Sequence, residues 1–204
     1  APDAIYVHGS TARDELMDLE LIKAAVNVRG KSELLINGLT GEECDRLGIA
    51  YPGYEKWFAK MSDLGVSLES VELLLDAPNT PGESRKLLAL ARKRGWKSIT
   101  IMSYPYHVLR CFLQIIYLME EAGQWLKVYC QTFHDVDWDR HISKPVLKGA
   151  EPVFGKLPEH IAAEFTRIIM YAQEPPIKDG KPTYTRNATI PEMYRYLDRR
   201  EKFN

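Results

Sequence analysis

The sequence predicts an α/β fold: a mainly parallel sheet of five or six strands, helices on both faces, and a helical extension at the C-terminus. Three observations carry this reading. Short β-prone runs alternate with helix-periodic segments, the connections between them are short, and three of the helical segments stop at a glycine, Gly30, Gly65 and Gly95. Parallel neighbours need a crossover, and right-handed crossovers through helices cover both faces of such a sheet.

The elements follow in order. Ala4 to His8 (AIYVH) is a β-prone run ended by Gly9 and Ser10, and helical spacing then runs through Leu16, Leu19, Ile22, Ala25 and Val26. A second strand, Glu33 to Asn37 (ELLIN), leads into the turn Gly38 to Gly41. Tyr54 to Leu64 places Trp57, Phe58, Met61 and Leu64 on one helical face, and Val71 to Leu75 is a third strand. In APNTPGES, Thr80 before Pro81, with Glu83 three residues on, predicts a helix opened by a capping box and running to about Arg94. Ile99 to Met102 is a fourth strand, a helix carrying His107 continues to about Ala122, and Leu126 to Cys130 is a fifth strand. This pattern is Rossmann-like, a three-layer sandwich. Residues 1–173 form the expected domain, and residues 174–204 a linker and short helix that packs on the domain or on a partner.

With 204 residues, 45% of them hydrophobic and 27% charged, the chain can build one substantial core. The 27 Lys and Arg balance 28 Asp and Glu, so no broad basic field exists to hold nucleic acid. No apolar run approaches the roughly 18 to 20 residues of a membrane span, and no basic segment followed by an apolar core opens the sequence. Cys44, Cys111 and Cys130 are odd in number and widely spaced, which suits a reducing compartment. The expectation is a soluble, cytoplasmic protein.

The loops after the first four strands, Gly9 to Asp14, Gly38 to Glu43, Asp76 to Glu83 and Ser103 to Arg110, open on one edge of a parallel sheet, where ligands gather. They carry Gly9, Ser10, Gly38, Thr40, Asn79, Thr80 and Ser103, small or polar residues that let a ligand approach the backbone. Each also has a plain role in a turn or cap. Asp76, directly after the third strand, either accepts from a ligand or acts as a base, or is a solvated strand end. His107 and Arg110, three residues apart, share one helical face: Arg110 suits phosphate or carboxylate, and His107 suits proton transfer near neutral pH. Alternatively, His107 satisfies a buried carbonyl and Arg110 pairs with a carboxylate.

HDVDWDRH, from His134 to His141, brackets three alternating aspartates with two histidines but lacks a recognised metal-ligand spacing, so no divalent metal is expected. Cys111 reads as core, and two glutamates before Cys44 make it a poor nucleophile. GxSxG, Walker and GxGxxG motifs do not occur.

The succession DAIYVHGS, ELLINGLTG, LLLDAPNTPGES and ITIMSYPYHVLR resembles the SanA/YdcF/ElyC-like family, a Rossmann-like domain of unknown function. The resemblance covers roughly residues 3–130. It maps the family's acidic strand end, Asn-Thr…Glu motif and Ser, His and Arg set onto Asp76, Asn79, Thr80, Glu83, Ser103, His107 and Arg110. It also brings Asn37 into the ligand-binding set with Gly9, Ser10, Gly38 and Thr40. Gly9-Ser10, Asn37-Gly38-Leu39 and Asp76 each depart from the usual residues of the family. The resemblance implies a bacterial small-molecule enzyme, a hydrolase or transferase acting on an anionic or nucleotide-like ligand. His107, Asp76 and Arg110 would be its catalytic set. The alternative is a non-catalytic ligand-binding or accessory protein, linked through relatives to S-adenosylmethionine or to envelope biogenesis. A homodimer through the C-terminal extension is a further expectation.

Overall fold

A computed structural model describes residues 1–9, 15–49, 51–144 and 153–202. Its centre is a sheet of five strands, β1 (Ala4–Val7), β2 (Glu33–Asn37), β3 (Val71–Leu74), β4 (Ser98–Met102) and β5 (Lys127–Gln131), in the order β3-β2-β1-β4-β5. All four pairings are parallel. The expected Rossmann-like architecture is therefore present, with five strands rather than six in the sheet. Because β4 lies on the far side of β1 from β2, the strand order reverses between β1 and β4. At such a point the loops leave in opposite directions and open a crevice at the carboxyl ends of the strands.

Strand alternation assigns the two faces. Ile5 and Val7 of β1 pack with α1 (Glu15–Arg29) and α3 (Tyr54–Asp63), through Leu21, Ile22, Trp57 and Met61. Ala4 and Tyr6 point the other way, toward α4 (Thr80–Arg94) and α5 (Val108–Glu121), through Leu87, Leu88, Cys111 and Ile115. A short helix absent from the sequence expectation, α2 (Gly41–Leu47), follows β2. Thr40 caps it: Glu43 N donates to Thr40 Oγ1 at 3.0 Å, and Thr40 N donates to Glu43 Oε2 at 2.8 Å. That reciprocal box uses the polar groups of Thr40 for the helix start.

The capping box expected at Thr80 forms differently. Asn79 is the N-cap of α4, its Oδ1 accepting from Gly82 N at 2.9 Å, and Thr80 is already helical. Extended backbone at Asn79 and the fixed φ of Pro81 place the boundary one residue earlier. Glu83 is thereby freed from capping and turned toward the sheet.

After β5 the chain forms a hairpin of β6 (His141–Lys144) and β7 (Val153–Lys156), then α6 (Leu157–Tyr171), a minimal hairpin of β8 (Ile177–Lys178) and β9 (Lys181–Pro182), and α7 (Ile190–Lys202). The aspartates and histidines of residues 134–141 do not converge: Asp139 pairs with Lys156 at 2.8 Å, and His141 enters β6. No group of His, Cys, Asp and Glu suited to a metal ion exists among the described residues. No helix among them is long and apolar enough to cross a membrane.

Helix α7 closes the open edge of β5. Tyr196 Oη accepts from Val128 N at 2.6 Å and donates to Leu126 O at 3.0 Å, while Arg200 Nη1 donates to Val128 O at 2.9 Å. The ring of Tyr196 packs against Phe112 and Trp125. An edge strand's unpaired backbone groups are thus satisfied by side chains. Tyr196→Phe leaves the Val128 amide buried without a partner and is expected to cost about 1 to 3 kcal/mol in urea denaturation. Full retention of stability would show that the edge does not depend on this hydroxyl.

Candidate functional site

The crevice between β1 and β4 is organised by a carboxylate. Alternation along β1 sends Tyr6 and His8 to the α4 face, and alternation along β2 sends Leu35 and Asn37 to the same face. The register pairs Tyr6 with Leu35 and Val7 with Ile36, so one further step sets His8 beside Asn37. Glu83, in the first turns of α4, descends onto this group. It accepts from Tyr6 Oη at 2.8 Å, from Asn37 Nδ2 at 2.9 Å and from His8 Nδ1 at 2.9 Å. Asn37 also ties down the adjacent loops, donating to Ala77 O at 2.8 Å and accepting from Leu39 N at 2.9 Å.

This cluster is almost wholly removed from water, with His8 at 0% and Glu83 at 6% exposure. Burial disfavours the imidazolium of His8, but the neighbouring Cys111 sulfur and the Glu83 carboxylate outweigh it and raise the pKa from 6.5 to about 10. Burial likewise opposes the Glu83 carboxylate, and the His8 charge and the bonds from His8, Asn37 and Tyr6 prevail, lowering its pKa. Tyr6 and Tyr51 are pushed well above 10, first by burial and then by Glu83, so both stay neutral. His8 and Glu83 therefore form a charged pair at neutral pH.

Over this floor lies a cavity of about 130 Å³. Gly9, Asn37, Asn79, Thr80, Glu83, His107 and Arg110 of the sequence-predicted set line it, joined by Tyr51 and Ile49. Gly9 is required there, since a Cβ would lie 2.6 Å from the Tyr51 ring. Gly38 serves packing instead: it sits against Leu73 and Leu75 and does not line the cavity. Ser103 is fully buried, and its hydroxyl has no hydrogen-bond partner among the described residues. Ser10 lies outside the described residues.

Asp76 stands apart from the others. It adopts a left-handed backbone (φ 55) that turns its side chain outward, where it is 81% exposed and lies 3.9 Å from Lys86. This corrects its expected place in the site: the buried carboxylate is Glu83, and its histidine partner is His8 rather than His107. Sequence reasoning missed His8 and Tyr6, although their parity with Asn37 on adjacent strand ends was available as a signal.

His107 precedes α5 and accepts at Nδ1 from Arg110 Nη2 at 2.9 Å. A guanidinium only donates, so the neutral ring carries its hydrogen on Nε2. Arg110 Nε donates to Glu164 Oε2 at 2.6 Å, and Arg167 Nη1 donates to Glu164 Oε1 at 2.6 Å. Burial disfavours the Arg110 charge, but Glu164 more than compensates and raises its pKa. Arg110 thus positions His107 as well as facing the cavity, a role closer to the carboxylate-pairing alternative. The His8 and His107 rings lie edge to face, 6.4 Å apart.

The small cavity adjoins a larger one of about 770 Å³, which shares Ile49, Pro78, Asn79, Thr80 and Arg110. Arg85, Arg110 and Arg167 line the larger cavity, and no carboxylate does so among the described residues. The N-terminus of α4 faces the shared wall, adding to the preference for negative charge. Compared with known proteins, the chain matches no family model and no curated protein.

Two outcomes test the buried pair. Glu83→Ala strands the His8 charge and should cost about 3 to 5 kcal/mol of unfolding free energy; a cost below about 1 kcal/mol would contradict the pairing. The pH dependence has a definite sign. His8, whose folded value is raised, contributes stability that is full below about pH 6.5 and lost as pH rises through about 10. Glu83, whose folded value is lowered, contributes stability that is full above about pH 4.5 and lost as pH falls through that lowered value. Denaturation midpoints should fall on both sides of the window between pH 4.5 and 6.5, and a steady rise from pH 7 to 10 would contradict this.

Proposed function

We propose that this chain is an enzyme of the SanA/YdcF/ElyC type that binds a phosphate-bearing small molecule across the carboxyl edge of its sheet and catalyses hydrolysis or group transfer on it. The observation that carries the reading is the pair of adjoining cavities: an outer one walled by three arginines without a carboxylate, leading to an inner one containing His107. Arginine forks suit phosphate oxygens, and a helix N-terminus supplements them. Arg85 and Arg167 are the more exposed of the three, with side chains 51% and 30% exposed against 16% for Arg110, and each also pairs with a glutamate, Glu121 at 3.7 Å and Glu164 at 2.6 Å.

His107, held with its hydrogen on Nε2, is suited to donate to an oxygen that gains negative charge as a bond breaks. Asp76 has no part in this chemistry. The buried His8–Glu83 pair supports the floor beneath the reacting group and takes no proton from it.

A non-catalytic binding role is the second reading, favoured by one feature: Thr80 carries the one aliphatic hydroxyl on the inner wall, and no thiol lines it among the described residues. An enzyme here would use water or a second substrate as nucleophile. S-adenosylmethionine suits the outer cavity poorly, since three arginines face its sulfonium and ammonium charges without a lining carboxylate.

Calorimetric titration with pyrophosphate and turnover of a phosphate-ester panel test the proposal. Arg167→Ala should weaken pyrophosphate binding about tenfold or more, and His107→Gln should abolish turnover while leaving affinity within about threefold. Saturable binding without turnover of any ester would favour the non-catalytic reading. Tighter binding of S-adenosylmethionine than of pyrophosphate would overturn the anion site.

A further inference from the structure

The outer cavity is not made by the Rossmann-like core alone. Arg85 and Gly82 come from α4, and Arg110 and Gln114 from α5, but Arg167 and Tyr171 come from α6, and Pro182, Tyr184 and Thr185 from the segment before α7. That segment is fastened in place. Asn187 N donates to Tyr171 O at 2.8 Å, Ala188 N to Leu113 O at 3.1 Å, and Gln114 Nε2 to Arg186 O at 2.9 Å. Tyr184 Oη donates to Met170 O at 3.1 Å at the end of α6. The ring of Tyr184 packs 5.0 Å from that of Tyr171, so two partly buried aromatic rings stand in a fixed arrangement on the cavity wall.

Charge and aromatic surface thus occupy one cavity. Its size, about 770 Å³, exceeds what an inorganic phosphate or pyrophosphate fills and falls in the range of sites for molecules with a ring system. Flat heteroaromatic rings stack on tyrosine, and guanidinium planes add to such contacts. The hydroxyl of Tyr184 is used by a main-chain carbonyl, which leaves its ring as the surface it offers a ligand.

Resting on the anion-binding reading above, we infer that the ligand is a nucleoside diphosphate or a conjugate of one. Its base lies against Tyr171 and Tyr184, its phosphates meet Arg85 and Arg167, and its distal group enters the inner cavity at His107. The segment from α6 to α7 is then the part of the chain that selects the ligand, while the strand ends handle its reactive end. Stacking on the two rings needs no hydrogen-bond readout of the base, so adenine and uracil nucleotides should differ less from each other than either does from pyrophosphate.

Titration calorimetry on the full chain with ADP, UDP, pyrophosphate and octyl phosphate tests this. ADP and UDP should bind at least about tenfold more tightly than pyrophosphate, consistent with one stacked base. Tyr184→Leu should remove that advantage, measured against pyrophosphate on the same variant, and Tyr184→Phe, which keeps the ring, should retain it. Equal affinity for ADP and pyrophosphate, or an advantage that survives in Tyr184→Leu, would overturn the base subsite while leaving the anion site standing. An equal or larger gain for octyl phosphate would assign the wall to an alkyl chain and overturn it also. Failure of all four ligands to bind would overturn the anion site itself, and the base subsite with it.

Discussion

The His8–Glu83 pair constrains everything around the crevice. Two opposite charges removed from water are tolerated only where geometry and additional hydrogen bonds compensate their desolvation. Tyr6 and Asn37 supply those bonds, and each comes from a strand end whose side-chain parity is set by the core beneath it. A one-residue slip of β1 or β2 would send these donors to the opposite face and leave Glu83 buried alone. The pair therefore joins register, the start of α4 and the shape of the cavity floor in one arrangement.

A second carboxylate repeats the principle farther out. Glu164 binds Arg110 and Arg167 at once, so α6 is fixed against α5 through charge as well as packing. Arg110 in turn fixes the tautomer of His107. Two buried acids hold basic groups on either side of the cavities: Glu83 holds His8 beneath the inner one, and Glu164 holds Arg110 and Arg167 on the outer wall. The inner charges balance locally, whereas the outer wall keeps an excess of arginine. That contrast, a charge-balanced floor beneath an arginine-lined rim, is what supports the proposal of a phosphate-bearing ligand.

Much of the frame was legible in the sequence. Strand and helix periods, with Gly30, Gly65 and Gly95 as stops, suffice for the five-stranded parallel sheet and its covering helices. His107 and Arg110 were visible because their spacing acts within one helical turn. The roles of the acidic residues were less legible. The N-cap at Asn79 rather than Thr80 changes what Glu83 is free to do, and a capping motif alone does not distinguish the two registers. Asp76 could be read either as a site carboxylate or as a solvated strand end, and the left-handed backbone that decides for the second leaves no mark in the local pattern. Glu164 lies 54 residues from Arg110, a separation no local pattern bridges. His8 was hidden by being read as the end of a strand, although its parity with Tyr6, and with Asn37 across the register, placed it on the site face.

Nitrogen-15 NMR of the His8 ring between pH 5 and 11 tests the central claim most directly. A doubly protonated imidazolium should persist through neutral pH and titrate near pH 10, and Glu83→Gln should lower that titration while the Cys111 contribution remains. A His8 ring that titrates near 6.5 in the folded protein would contradict it.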